Sequence, residues 1–426
     1  MKICLVNYRY FVSSGPERYM FAVKALLEAR GHEVVPFSVR YRQNEPSPWE
    51  RYFVPPIAGD DQIMFRQHSW SASAVRRALE RAFYSREVYD ALSRELDEAR
   101  PDVAYVLHYM RKLSPAVLAA LHDHGVPIVV RFSDFAMVCP QQHLVRDGRV
   151  CELCVGRRPW PSVRYRCVQG SFGASVVNVL AMEYARQKGF FDLIDAFVAP
   201  SDIMRQKMVE GGLPAAKIKT LATFVKPRPQ RSCGLRQRRL CYVGRIDKTK
   251  GIDVLLDAME LLHREGVARD VEVVIAGDIS TPAGEAFLAR LRARPIPGVT
   301  LPGQLGEDAV IELFESSLAS VVPSLWYENM PNSLLESLAC GTPVIASDLG
   351  SMHDIIHDTG AGLLFRVGDP AALAEALKTA LAEPCAETMG ERAEELVRER
   401  HDPDAHAEAL IGLLDTVRSR STEGRV

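Results

Sequence analysis

The stretch LASVVPSLWYENMPNSLLESLACGTPVIASDLG, residues 318–350, reads as strand, short loop, helix, strand. Residues 319–322 are a short apolar run, and residues 323–330 form a loop carrying a single carboxylate, Glu328. Pro331 suits the first turn of the following helix, where its missing N–H is not needed. Leu334, Leu335, Leu338 and Ala339 recur at helical spacing and make one apolar face. Gly341 is placed to take the left-handed position that stops the helix. Residues 344–346 begin the next buried strand.

Two acids stand out in this unit. Glu328 precedes the helix, where open backbone N–H groups and the helix dipole favour an anion, and Asn329, Asn332 and Ser333 surround that opening. Glu336 lies eight residues later, inside the helix, and its helical neighbours Asn332, Ser333 and Cys340 offer it no cation. Two carboxylates so spaced can reach different parts of one ligand. Taken alone they are equally a loop acid and a solvated helix acid, so the rest of the chain has to decide.

The chain has 426 residues, 47% of them hydrophobic, enough for two globular domains of ordinary size. Its net charge of -2 gives no footprint for nucleic acid. Met1 and Lys2 lead into an apolar run that fits a first strand rather than a signal peptide, and no apolar stretch is long enough for a membrane span. A cytoplasmic protein is expected, at the inner face of the cell membrane if its acceptor is lipid-linked. Nine cysteines are few for this length, so a disulfide scaffold is not expected.

Residues 3–6 read as a strand, 7–17 as a loop, 18–29 as an amphipathic helix and 34–37 as a second strand. This βαβ opening predicts a parallel sheet with covering helices. Gly15 sits where the first strand hands over to the first helix, a place that suits a phosphate. Residues 40–70 are a polar, aromatic, proline-bearing excursion, and 71–99 read as helical. Strands over 103–107 and 127–130 end at His108 and at Arg131-Phe132-Ser133-Asp134. Ligands gather beyond the carboxyl ends of parallel strands, which lifts these residues, Asp134 among them, above ordinary polar positions.

Cys139, Cys151, Cys154 and Cys167 follow, separated by 11, 2 and 12 residues, among many arginines. Four thiolates with one Cys-x2-Cys knuckle are the donor set of a closed structural zinc site. A redox pair and unliganded thiols remain as alternatives. A closed shell would pin an acceptor loop or lid rather than catalyse.

A Pro-, Arg- and Gln-rich stretch at 223–239 marks the interdomain boundary. The expected division is a first domain over 1–200 with a cysteine-rich insert at 139–167, a linker region over 201–238 and a second domain over 239–400. A final helical segment over 401–426 is expected to cross back. The second half opens as the first does. A strand at 240–243 leads to Gly244-Arg245-Ile246-Asp247-Lys248-Thr249-Lys250-Gly251 and then a helix, with Ile252, Leu255, Leu256, Met259 and Leu262 on its inner side. Arg245 and Lys250 flank a loop at a strand end and could clamp a diphosphate from two sides. Gly303 ends another strand-like run, 299–301.

These motifs together resemble the retaining GT-B glycosyltransferases of family 4, over nearly the whole chain. The family's Glu-x7-Glu motif stands here as Glu328-Asn329-Met330-Pro331-Asn332-Ser333-Leu334-Leu335-Glu336, and 244–251 is similar to its phosphate-binding loop. Gly15 is similar to the glycine loop of its first domain. Cys139 through Cys167 is similar to an insert found in some polysaccharide and lipid-linked sugar transferases. The resemblance implies two Rossmann-like domains facing each other across a cleft, with a nucleoside-diphosphate sugar on the second domain and a hydroxyl acceptor (glycan, glycolipid or small molecule) on the first. Arg245 and Lys250 would hold the diphosphate, Glu336 the ribose and Glu328 the donor sugar, with Pro302-Gly303-Gln304-Leu305 near the base and no metal needed for transfer. Many relatives carry a histidine by the donor sugar where this chain has Ser133, which leaves Asp134 as the nearest candidate to take part. A sugar-nucleotide epimerase and a non-catalytic GT-B-like binding protein are the rival readings.

Overall fold

The computed structural model describes residues 1–13, 15–59, 71–226, 228, 236–279, 282–381 and 383–423. Of the excursion expected at 40–70, residues 60–70 lie outside the described residues, as do 227 and 229–235 of the proposed linker. The described chain divides into two units. One comprises Met1–His143, Glu152–Leu221 and Asp404–Val426; the other comprises Leu144–Cys151 and Ala222–Pro403.

The first unit is built on β1 (Lys2–Asn7), α1 (Gly15–Ala29), β2 (Glu33–Phe37), α2 (Ala72–Phe83), α3 (Arg86–Ala99), β3 (Val103–His108), α4 (Ala116–Asp123) and β4 (Ile128–Arg131). After a short hairpin, β5 (Val145–Arg146) and β6 (Arg149–Val150), come α5 (Pro161–Arg164), α6 (Phe172–Gln187), β7 (Ala196–Ala199), α7 (Asp202–Glu210) and β8 (Ile218–Thr220). The sheet order is β2-β1-β3-β4-β7-β8, with every pairing parallel. Residues 3–6 of β1 are fully buried, as a strand covered on both faces must be.

Two expectations shift here. The first helix starts at Gly15 rather than at residue 18, and Glu17 in its first turn is buried, accepting from Ser13 Oγ at 3.0 Å with Arg9 at 3.4 Å. The helical run expected over 71–99 breaks in two. Tyr84 is extended, and the Ser85 hydroxyl accepts from Val88 N to cap α3.

The second unit runs through β9 (Gln237–Val243), α8 (Ile252–Arg264), β10 (Glu272–Ala276), α9 (Pro282–Ala293), β11 (Val299–Gly303), α10 (Glu307–Ser316), β12 (Ser317–Val322) and α11 (Asn332–Ala339). It continues with β13 (Val344–Ser347), α12 (Ser351–Ile356), β14 (Gly362–Phe365), α13 (Pro370–Ala380) and α14 (Glu383–Arg400). Its sheet order is β11-β10-β9-β12-β13-β14, again wholly parallel. Its last strand, β14, is a parallel edge strand beside β13. Ile252, Leu255, Leu256, Met259 and Leu262 all point inward from α8 onto Leu240, Val273, Ile275 and Val321. Each such burial stabilises by about 1.5–3 kcal/mol, so this layer fixes where β9 and β12 end. The last helix, α15 (Pro403–Glu423), belongs from Asp404 onward to the first unit, where His406 Nε2 meets Tyr19 Oη at 3.0 Å.

Candidate functional site

In the second unit the loops after β9, β10 and β12 lie backbone against backbone. Gly251 adopts a φ of +70°, and a Cβ there would sit 1.8 Å from the Pro323 carbonyl oxygen. A Cβ on Gly277 would sit 1.6 Å from the Gly244 carbonyl oxygen. Only glycine admits both approaches. Leu325 N donates to Thr249 O at 2.9 Å, and Asp247 accepts from Thr249 N at 2.9 Å, holding the single turn that carries Lys250.

This packing delivers Lys250 Nζ to Glu328 Oε1 at 2.6 Å, with the two side chains 16% and 9% exposed. The same oxygen accepts from Ser324 Oγ at 2.7 Å and Trp326 Nε1 at 2.8 Å. Burial acts to raise the Glu328 carboxyl, but Lys250, Ser324 and Trp326 together more than offset it and hold it below its ordinary value. Lys250 also lies 5.5 Å from the centroid of the Trp326 ring. Ser351 Oγ donates to the Glu328 carbonyl at 2.9 Å, fixing the backbone beneath the carboxylate.

The other expected residues of this unit are placed around that pair. Gly244 follows β9, and its N–H donates to Ala276 O at 3.0 Å. The Arg245 guanidinium is 54% exposed and lies 3.6 Å from Asp247, while its carbonyl accepts from the buried Tyr242 hydroxyl at 2.6 Å. Asn329 is in the loop; Asn332 and Ser333 open α11; Glu336 is half-buried within it. Pro331 is the residue before the helix, extended at ψ 114°, rather than its first turn. Gly303 closes β11, and its carbonyl accepts from Gly277 N at 2.9 Å. Ser324 and Trp326 were missed by the sequence reading. Their only signal was a polar residue directly after a fully buried strand and an indole two residues before the acid.

Gly15 and Asp134 lie in the first unit. Gly15 opens α1. Asp134 Oδ2 is 3.0 Å from His108 Nε2, and its Oδ1 accepts from Ala136 N at 2.7 Å. Burial acts to raise the Asp134 carboxyl; His108, the Ala136 amide and Arg111 outweigh it, so the group stays below its ordinary value. Arg111 donates to Gln142 Oε1 at 2.9 Å and to the Pro140 carbonyl. Ser133 Oγ turns away to donate to Leu107 O at 3.2 Å.

The four cysteines are not gathered into a ligand set. Among the described residues, no three of His, Cys, Asp or Glu are placed to hold a metal ion. Local turns use these positions instead: Cys139 O accepts from Gln142 N at 2.9 Å, and Cys154 Sγ lies 3.6 Å from Pro159 O. Cys151 ends the hairpin segment that is grouped with the second unit. Among the described residues, then, nothing adds support to the zinc shell that their spacing suggested.

Two wholly parallel six-stranded sheets, each flanked by helices, define the GT-B class of two Rossmann-like domains. A family model described as "Glycosyl transferases group 1" matches residues 237–383, the run that holds Arg245, Lys250, Glu328 and Glu336. The chain is 29% identical over 252 residues to a D-inositol 3-phosphate glycosyltransferase of Salinispora arenicola, covering 56% of this chain and 54% of that protein. It is 28% identical over 227 residues to an alpha-D-kanosaminyltransferase of Streptomyces kanamyceticus, covering 50% of this chain and 57% of the relative. It thus spans about half the length of the named relatives it matches. In fold it is similar to sucrose-phosphate synthase from Thermosynechococcus elongatus, with a TM-score of 0.70, 18% identity and coverage of 98% of this chain and 99% of that one. The chain thus has the GT-B fold, and its residues 237–383 match the group 1 glycosyl transferases.

Proposed function

We propose that the protein is a retaining glycosyltransferase that moves a sugar from a nucleoside-diphosphate sugar to a hydroxyl acceptor, in the synthesis of a cell-surface polysaccharide, glycolipid or glycoside. The observation that carries this reading is the Lys250–Glu328 pair. All three hydrogen bonds found on the carboxylate fall on Oε1, which leaves Oε2 for a ligand. Lys250 has three N–H donors and spends one on Glu328, so two remain for phosphate oxygens.

Cleaving a glycosyl–phosphate bond puts negative charge on the diphosphate and partial positive charge on the sugar ring. Arg245, Lys250 and the opening N–H groups of α11 at Asn332 and Ser333 stabilise the first. Glu328, kept ionised, stabilises the second and orients the sugar hydroxyls. Glu336 takes the ribose, and Gly303 lies by the base. In front-face transfer the acceptor oxygen bonds to the anomeric carbon as the phosphate oxygen leaves, and the acceptor proton passes to that phosphate oxygen. Asp134 orients the acceptor, and Gly15 opens α1 in the same unit. The two cations supply the charge that a metal supplies elsewhere, so the transfer step needs none.

The test is to incubate the full chain with a panel of nucleoside-diphosphate sugars and hydroxyl acceptors and to follow the products by NMR. Release of nucleoside diphosphate with an unchanged anomeric configuration is expected. An epimerised donor, or donor binding with neither transfer nor hydrolysis, would overturn the reading.

A further inference from the structure

Large apolar side chains left in water are gathered in one part of the first unit. Among the described residues eight are exposed, and seven of these lie on two packed regions: Val75 and Leu79 on α2, and Leu153, Trp160, Tyr165, Phe172 and Leu180 in the segment from the cysteines through α6. Scattered exposed apolar residues need no explanation, but this concentration does. The three aromatic ones are Trp160, Tyr165 and Phe172, with Trp160 55% and Phe172 57% exposed.

The local structure holds them up rather than merely failing to bury them. Val163 N and Cys167 N donate to Trp160 O and Ser162 O, both at 3.0 Å, so Trp160 and Tyr165 stand on a closed turn. Val168 N donates to Ser175 Oγ at 3.1 Å, which ties that turn to the first turn of α6, where Phe172 stands. Phe172, Val176 and Leu180 follow at four-residue spacing along one stripe of α6. Helix α6 packs against both α5 and α2, and Val75 and Leu79 are likewise one turn apart on α2. Arginine is interleaved throughout: Arg157, Arg158, Arg164 and Arg166 are all exposed. The two acids of the segment after Asp147, Glu152 and Glu183, are both paired, with Lys207 at 3.0 Å and Arg186 at 3.1 Å.

We propose that this face of α2, α5 and α6 docks on an anionic lipid bilayer. Tryptophan and tyrosine sit at the level of the headgroups, where one end of the ring is dry and the other wet. Phe172 and Leu180 enter the boundary of the acyl chains, and the arginines meet lipid phosphates. The charge pattern selects a lipid surface over a second copy of this chain, because two such arginine-bearing faces would repel. The exposed cysteine-region segment acquires a role as a docking element. The inference goes beyond the donor reading and does not depend on it, since vesicle binding requires neither donor nor turnover.

The experiment is flotation of the full chain with vesicles of phosphatidylcholine alone and of phosphatidylcholine with phosphatidylglycerol, at low and high salt, together with tryptophan emission. Binding to the anionic vesicles is expected, weakened by salt, with a blue shift that disappears in Trp160→Phe. Trp160→Ala with Phe172→Ala, and separately Arg158→Glu with Arg164→Glu, should each reduce binding at least about tenfold while melting temperature and nucleotide binding stay unchanged. All four side chains are exposed, so the fold has little reason to suffer. No binding to anionic vesicles, binding indifferent to both double variants, or a dimer that the same variants dissociate would overturn the proposal.

Discussion

Each unit places a carboxylate beyond the carboxyl ends of its parallel strands, and the two are held differently. Glu328 receives a permanent cation and two neutral donors on one oxygen, from loops locked by glycine contacts. Asp134 shares its load between both oxygens, and its side-chain partner is an imidazole that carries charge only when protonated. The first arrangement suits a carboxylate that must stay ionised whatever binds beside it. The second divides the hold on the carboxylate between a side chain and the backbone. On the proposed function this is the difference between handling a charged donor and handling a neutral hydroxyl.

The largest effect expected from breaking the first arrangement comes from its cations. Arg245→Ala with Lys250→Ala removes charge-assisted hydrogen bonds worth about 1.5–3 kcal/mol each, so calorimetry should show nucleoside-diphosphate affinity falling roughly a thousandfold. Unchanged affinity would mean that the clamp is not there. Lys250→Ala alone also leaves Glu328 buried without its cation, and its carboxyl should then rise, since burial remains and the main opposing charge is gone.

Gly251→Ala probes the loop contact rather than the charges. With φ at +70° and the Pro323 carbonyl in the way, the substitution should cost about 1–3 kcal/mol in thermal or denaturant unfolding and weaken diphosphate binding with it. Gly303→Ala serves as the control. Its φ of +86° is comparable, but nothing lies within 4 Å of the added Cβ, so the excess loss at Gly251 measures the contact itself.

The smallest effect belongs to the first unit. The Asp134 carboxyl lies below its ordinary value, so it contributes stability that is present above the usual aspartate range, near about 3.9, and lost as pH falls through the lower folded value. Thermal melts of wild type and Asp134→Asn between pH 7 and pH 3 should differ at the neutral end and converge at the acid end. Parallel curves would mean that the His108 contact holds no ionised carboxylate.

Much of this architecture was legible because its signals are local. The βαβ opening, the inner face of α8 and the strand–loop–helix run around Glu328 each follow from apolar spacing and from where glycine and proline fall. What was not legible depended on contacts distant in sequence. Nothing near Glu328 announces that Lys250, 78 residues earlier, will pair with it, nor that Gly251 is required by the Pro323 carbonyl. Strand β8 escaped notice because it has only three residues, and helix α9 because its apolar periodicity is weak. The break between α2 and α3 turned on one serine acting as a cap in an otherwise continuous helical pattern. The cysteine spacing is limited for a related reason. A Cys-x2-Cys knuckle proposes a metal site, but whether distant thiolates converge is decided by the turns between them, which spacing does not give.

The paired acid and lysine of the second unit carry the account, and Glu328→Gln tests them most directly, because the amide keeps the shape and removes the charge. Turnover and donor affinity should be measured on the same preparation. The account predicts that turnover falls by about a hundredfold or more while nucleoside-diphosphate affinity stays within a few-fold of wild type. Turnover equal to wild type, or a loss of affinity large enough to explain the whole loss of rate, would contradict it.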